Sequence, residues 1–161
     1  MGSGKTAVLS EASDILDRRQ VVHAAIDLDA LGLAHLPSSG PTDVIIYENF
    51  RSVCGNFAAA GIRRFLVARA VEGAHQLGLC REIVQPNNLA VCRLVASLET
   101  MKRRVQARDS GISQSQCVAR VAELNSILDA ARLEDFTVTN EDRSLTGVAL
   151  EMLVKAGWIS G

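Results

Sequence analysis

The sequence predicts an α/β fold in which a parallel sheet carries helices on both faces. Two observations predict it. Helical and strand-like signals alternate along the chain. The run VVHAAIDL at 21–28 is too apolar to face water on either side, as a strand inside a parallel sheet must be. Right-handed crossovers then set helices on both faces. Ligands of such sheets bind at the carboxyl ends of the strands, so residues that follow strands are the ones to inspect.

Each element has its own justification. Residues 4–19 form a helix, with Val8, Leu9, Ala12, Ile15 and Leu16 on one face. The strand 21–28 follows, then a turn and loop over 29–40 that PSSGP closes. Thr42 is an N-cap for a second helix, which carries Ile45, Ile46, Phe50, Val53 and Phe57 at helical spacing and ends at Ala60-Gly61. RFLVARA at 64–70 is the next strand, residues 72–80 a short helix and QPNN at 85–88 a break. LAVCRLVA at 89–96 is a third strand. Ser97 caps the helix that carries residues 99–108, and Asp109-Ser110-Gly111 ends it. Ser113 caps another amphipathic helix to about residue 131, with Val118, Val121, Leu124 and Leu128 inward. FTVT at 136–139 is a short strand. Ser144 caps a last helix through Ala156, and Gly157 stops it before Trp158. No repeat, low-complexity run or linker divides the 161 residues, which read as a single domain, 1–161.

Composition narrows the function classes. Hydrophobic residues make up 48% and charged residues 22%, the balance of a soluble globular chain. A net charge of −1 supplies no field for nucleic acid or an anionic membrane. No apolar run is long enough for a membrane span, and the N-terminus lacks the layout of a signal peptide. The four cysteines lie far apart without a C-x-x-C, so reduced, mostly buried thiols in the cytoplasm are expected.

Four stretches carry candidate chemistry. The first is GSGKT at 2–6. In this pattern glycine frees consecutive backbone N–H groups of Gly2, Ser3 and Gly4 to curl around phosphate oxygens at a helix start. Lys5 would reach the β- and γ-phosphates, and the Thr6 hydroxyl would bind Mg²⁺. The first glycine of the full pattern would fall two residues before Met1, and the strand that feeds such a loop is not in the chain. A flexible Gly/Ser start is the plainer reading, but the pattern runs straight into an amphipathic helix. The second is AIDLDALG. Asp27 and Asp29 are two apart at a strand end and share a face. They suit holding Mg²⁺ through water and accepting a proton from a substrate hydroxyl, unless one of them, such as Asp29, only caps the turn. The third is LETMKRRVQARDSG, where Arg104 and Arg108 share a helical face and would stabilise charge on a transferring phosphoryl group. The fourth comprises Asn49 and Arg51, with Glu48 and Asn56, on the second helix, as candidates to line an acceptor pocket. Solvent exposure explains these equally well. Glu72 follows the second strand as a magnesium-supporting acid would, although Arg69 interrupts the apolar run before it. His23, His35 and His75 have no serine or cysteine at a recognisable spacing, which argues against a catalytic triad.

With these residues placed, the chain resembles the small P-loop kinases of the shikimate kinase, gluconate kinase, adenylylsulfate kinase and chloramphenicol phosphotransferase group. The resemblance runs over nearly the whole chain. GSGKT is similar to the second half of that group's phosphate loop. DLD is similar to its acidic motif, which binds magnesium and activates the acceptor hydroxyl. LETMKRRVQARDSG resembles the segment entering the lid, here roughly 103–116. FTVTNEDRSLTGVALEML resembles the last strand, adenine-side loop and final helix, with Thr139 and Asn140 where the group often has V-D-T or V-D-N.

The resemblance implies a three-layer P-loop fold with ATP and Mg²⁺ as cofactors, and phosphoryl transfer to the hydroxyl of a small molecule by a monomer or homodimer. Lys5, Asp27, Asp29, Arg104 and Arg108 would be catalytic, and Thr6 and Asp27 would serve the metal. The group's sheet has the order 2-3-1-4-5, so the strand before the phosphate loop is central. Its absence implies a start site placed inside a longer coding sequence. Without it the flanking strands would either face a gap or pair directly. The competing expectation is a non-catalytic nucleotide-binding or interaction protein. A nucleotide-driven switch lacks support, because there is neither N-K-x-D nor a clean acidic strand end.

Overall fold

The computed structural model describes residues 1–33, 42–85, 88–108 and 113–160. Helices alternate with short strands in the order α1 (Lys5–Arg18), β1 (Ala24–Asp27), a 3₁₀ turn (Leu28–Gly32), α2 (Thr42–Ala59), β2 (Phe65–Ala68), α3 (Ala74–Val84), β3 (Cys92–Val95), α4 (Leu98–Arg108), α5 (Ser113–Ala131), β4 (Phe136–Thr139) and α6 (Leu145–Lys155). The expected α/β class is therefore found. Residues 34–40 of the expected loop, Pro86 and Asn87 of the QPNN break, the Asp109-Ser110-Gly111 stop, and the capping side chains of Thr42 and Ser113 lie outside the described residues.

The sheet is divided. β1 pairs parallel with β2, Ala24 opposite Phe65 and Asp27 opposite Ala68. β3 pairs parallel with β4, Cys92 opposite Phe136 and Val95 opposite Thr139. Among the described residues β2 and β3 do not pair. Of the two expected arrangements, a gap or a direct pair, the gap is the one observed. A cleft of about 100 Å³ opens there, lined by Met1, Ser3 and Lys5, by Arg69 just after β2, and by Cys92 and Leu94 of β3.

One apolar cluster nevertheless runs beneath both strand pairs. Val8, Ala12 and Leu16 of α1 pack with Val148, Ala149 and Leu153 of α6, and Leu66 of β2 rests on this cluster together with Cys92 and Leu94 of β3. The opposite faces are covered separately. Ile26 of β1 meets Ile46, Tyr47 and Phe50 of α2, with residues of α3 against them. Arg93 points away from the α1 side of β3 and pairs with Asp129 of α5 at 2.7 Å. Helices thus lie on both faces of each strand pair.

The strands are shorter than their apolar runs. Val21 and Val22 precede β1, and Val22 is 68% exposed. The Val21 N–H donates to Leu16 at the end of α1, and Val21's carbonyl accepts from His23 Nδ1. These local bonds stand where ladder bonds were expected. α3 is longer than expected, reaching Val84.

Candidate functional site

The turn before α1 requires glycine twice. Gly2 and Gly4 have φ of 73° and 90°, in the left-handed region that other residues avoid. A Cβ on Gly2 would lie 2.4 Å from the Met101 carbonyl oxygen, and one on Gly4 would lie 2.3 Å from Asn140 Nδ2. Two neighbours therefore close on this loop, α4 and the residue after β4.

Asn140 is buried, and its Nδ2 donates to the Ser3 carbonyl at 2.8 Å. Its own carbonyl accepts from Arg104 Nη1 at 2.9 Å. The next residue, Glu141, accepts from Ser97 Oγ at 2.6 Å, from Thr100 Oγ1 and from the Ser97 N–H at 2.9 Å. These bonds, the side-chain ones foremost, hold its carboxyl down to about 2, from an ordinary 4.5. Glu141 was not singled out from the sequence; in NED after FTVT it reads as one more solvated acid.

On the other side, Lys5 opens α1 and lines the cleft beside Ser3. Thr6 Oγ1 donates to Asp27 Oδ2 at 2.6 Å, which joins the glycine loop to the end of β1. Asp27 Oδ1 accepts from the Asp29 N–H at 3.1 Å, so Asp27, not Asp29, caps the 3₁₀ turn. The Asp29 carboxylate is 65% exposed and lies 3.6 Å from Arg69 Nη1. The two aspartates consequently differ. Asp27 is engaged through both oxygens, whereas Asp29 faces solvent with Arg69 beside it.

The remaining candidates divide. Arg104 reaches the site through Asn140. Arg108 ends α4 and is exposed. Burial, then Lys5 and Arg108, push the Met1 amino group down to about 6 from 8.0, so these cations gather around the loop. Arg120 of α5 contributes to the same field and was missed from the sequence, where it is one charge on an amphipathic helix. Thr139 is exposed, and its carbonyl accepts from Arg143 at 3.3 Å. Asn49 donates to the Leu31 carbonyl at 2.8 Å and so steadies the 3₁₀ turn. Arg51 pairs with Glu82 at 3.1 Å, and with Asp43, Tyr47 and Glu48 it borders a separate hollow of about 370 Å³. Glu72 holds Arg120 through both carboxylate oxygens, at 2.9 and 2.7 Å.

Among the described residues no three His, Cys, Asp or Glu side chains gather as a metal cage. The donors that do meet are a hydroxyl, Thr6, and a carboxylate, Asp27. That set is hard and oxygen-only, and it fits a cation that keeps several waters, as Mg²⁺ does.

His23 has a serine neighbour in space that its sequence spacing did not reveal. Because the Val21 carbonyl can only accept, Nδ1 carries the hydrogen, and Nε2 accepts from Ser13 Oγ at 2.8 Å. The pair ties α1 to the segment before β1. The four cysteines are free, and burial pushes the Cys54 and Cys92 thiols up to about 11. Among the described residues no helix is long and apolar enough to cross a membrane. No protein-family model matches the chain, and no curated protein matches it.

Proposed function

We propose that the chain is built for ATP-dependent phosphoryl transfer to a hydroxyl of a small molecule. The observation that carries this reading is the 2.6 Å bond between Thr6 Oγ1 and Asp27 Oδ2. It sets a hydroxyl at the start of a helix against a carboxylate at the end of a strand, beside a glycine-shaped loop and a lysine. In this reading the Gly2–Gly4 amides and Lys5 hold the phosphates. Thr6 and Asp27 hold Mg²⁺, which when bound neutralises charge between phosphate oxygens. Asp29, exposed and less engaged than Asp27, orients the acceptor hydroxyl or takes its proton. Arg108 offsets charge on the moving phosphoryl group. Arg104 does so too while it holds Asn140, which makes Asn140 a support for the loop rather than an adenine contact.

Lys5→Ala should abolish Mg²⁺·ATP-dependent phosphorylation across a panel of hydroxylated metabolites, assayed in a chain extended ahead of Met1 by an apolar strand. Turnover retained in that variant overturns the assignment. A second reading is a nucleotide-binding or interaction protein without catalysis, and the observation behind it is that β2 and β3 do not pair among the described residues. Calorimetric titration separates the two. Micromolar Mg²⁺·ATP binding with no transfer to any acceptor supports the second.

A further inference from the structure

Arg69 immediately follows β2, and its side chain is only 8% exposed. Its Nη2 donates to Asp43 Oδ1 at 2.6 Å, its guanidinium lies 5.4 Å over the Tyr47 ring, and Asp29 lies on its Nη1 side. Among the described residues, its Nε and Nη1 have no hydrogen-bond partner. At 3.6 Å, Asp29 falls just short of supplying one.

Asp43 extends the contact outward. Its Oδ2 accepts from Gln76 Nε2 at 3.0 Å, and Gln76 Oε1 accepts from the Glu72 N–H at 2.7 Å. Glu72 in turn grips Arg120 of α5. Followed inward, Asp29 donates its N–H to Asp27, which accepts from Thr6. The line Arg120–Glu72–Gln76–Asp43–Arg69–Asp29–Asp27–Thr6 crosses from the β3 side of the molecule to the glycine loop, and every link except Arg69–Asp29 is a hydrogen bond.

We infer that Arg69 is a positioning residue. It fixes Asp29 relative to Asp27, and through Asp43, Gln76 and Glu72 it makes that geometry depend on the seating of α5 at Arg120. The role of Asp29 rests on the kinase reading, but the coupling does not. The test therefore uses the backbone amide spectrum of the full chain without nucleotide. Arg120→Gln should displace the amide resonances of Glu72, Gln76, Asp43 and Asp29, while Lys102→Gln on neighbouring α4 leaves them in place. In a Gln76→Leu background the effect of Arg120→Gln should end at Glu72.

Arg69→Gln should move the Asp29 amide, and Arg69→Lys should restore part of that displacement. Asp43→Asn, at an exposed carboxylate, serves the same purpose if the Arg69 variants do not fold. A perturbation from Arg120 that stops at Glu72 in the unmodified background overturns the relay. An Asp29 amide indifferent to Arg69 and Asp43 overturns the positioning role. Turnover retained in the Lys5→Ala chain bears on the kinase reading alone, so the two failures are distinguishable.

Discussion

Gly4 and Asn140 are 136 positions apart in sequence, yet each limits the other. The amide of Asn140 fills the space a side chain on Gly4 would need. Gly4→Ala combines that clash with a left-handed φ and should cost about 2 kcal/mol or more. Asn140→Ala removes the buried donor to the Ser3 carbonyl and should cost about 1–3 kcal/mol. Urea unfolding of both variants measures these losses; an Asn140→Ala chain as stable as the parent would show that the loop is held by other means. The glycines were legible because GSGKT is a local pattern. Asn140 was legible as a position but not as a clamp. Its partner Ser3 is 137 residues away, and Arg104 reaches Asn140 across 36. The same distance hid Arg69, whose meaning lies in Asp43 and Asp29, and Arg120, whose meaning lies in Glu72. Asp27 and Asp29 were both visible, but only the Thr6 and Asp29 hydrogen bonds to Asp27 separate their duties.

At the scale of elements, helix starts were legible and strand extents were not. Ser144 accepts from the Gly147 N–H at 3.1 Å, and Ser97 Oγ accepts from Thr100 N–H at 3.2 Å, both as capping chemistry requires. A cap closes within four residues, so its signal is local. A strand ends where its neighbour ends, and neighbours are remote. That is why the apolar runs at 21–28 and 89–96 overstate β1 and β3. The start of α4 offers a test, because Glu141 supports it from the end of β4. Its depressed carboxyl stabilises the fold fully above the unfolded-state value of 4.5, and that contribution is lost as pH falls through about 2. Glu141→Gln should therefore lower the urea midpoint at neutral pH, and the difference from the parent chain should shrink between pH 4.5 and 2. A difference independent of pH would mean that the carboxylate charge is not what holds α4.

For the whole molecule, the dominant feature is one helical underlayer carrying two strand pairs that do not meet. The α/β class was legible from alternation and apolarity alone. The division of the sheet was not legible: the resemblance left a gap and a direct pair both open, and β2 and β3 each look like strands that should be buried between neighbours. An apolar strand fused ahead of Met1 and running parallel to both should pair with each. Each added backbone bond contributes about 1 kcal/mol net, and each kcal/mol gained raises Tm by about 2–4 °C in a chain of this size. Calorimetry reads the gain, and hydrogen exchange should show new protection in β2 and β3. An unchanged Tm with unprotected amides would mean the cleft does not take a strand.

The cleft has another side. Leu128 and Ala131 of α5 line it, while α1 lies under the strands that flank it. Open strand edges are templates for joining another chain, and here α5 flanks the cleft between them on one side and α1 underlies it on the other. Association of copies through the middle of the sheet would first require α5 to lift. Turbidity on heating should then begin when α5 loosens, ahead of global unfolding, and the ion pair between Arg120 and Glu72 becomes a guard on solubility.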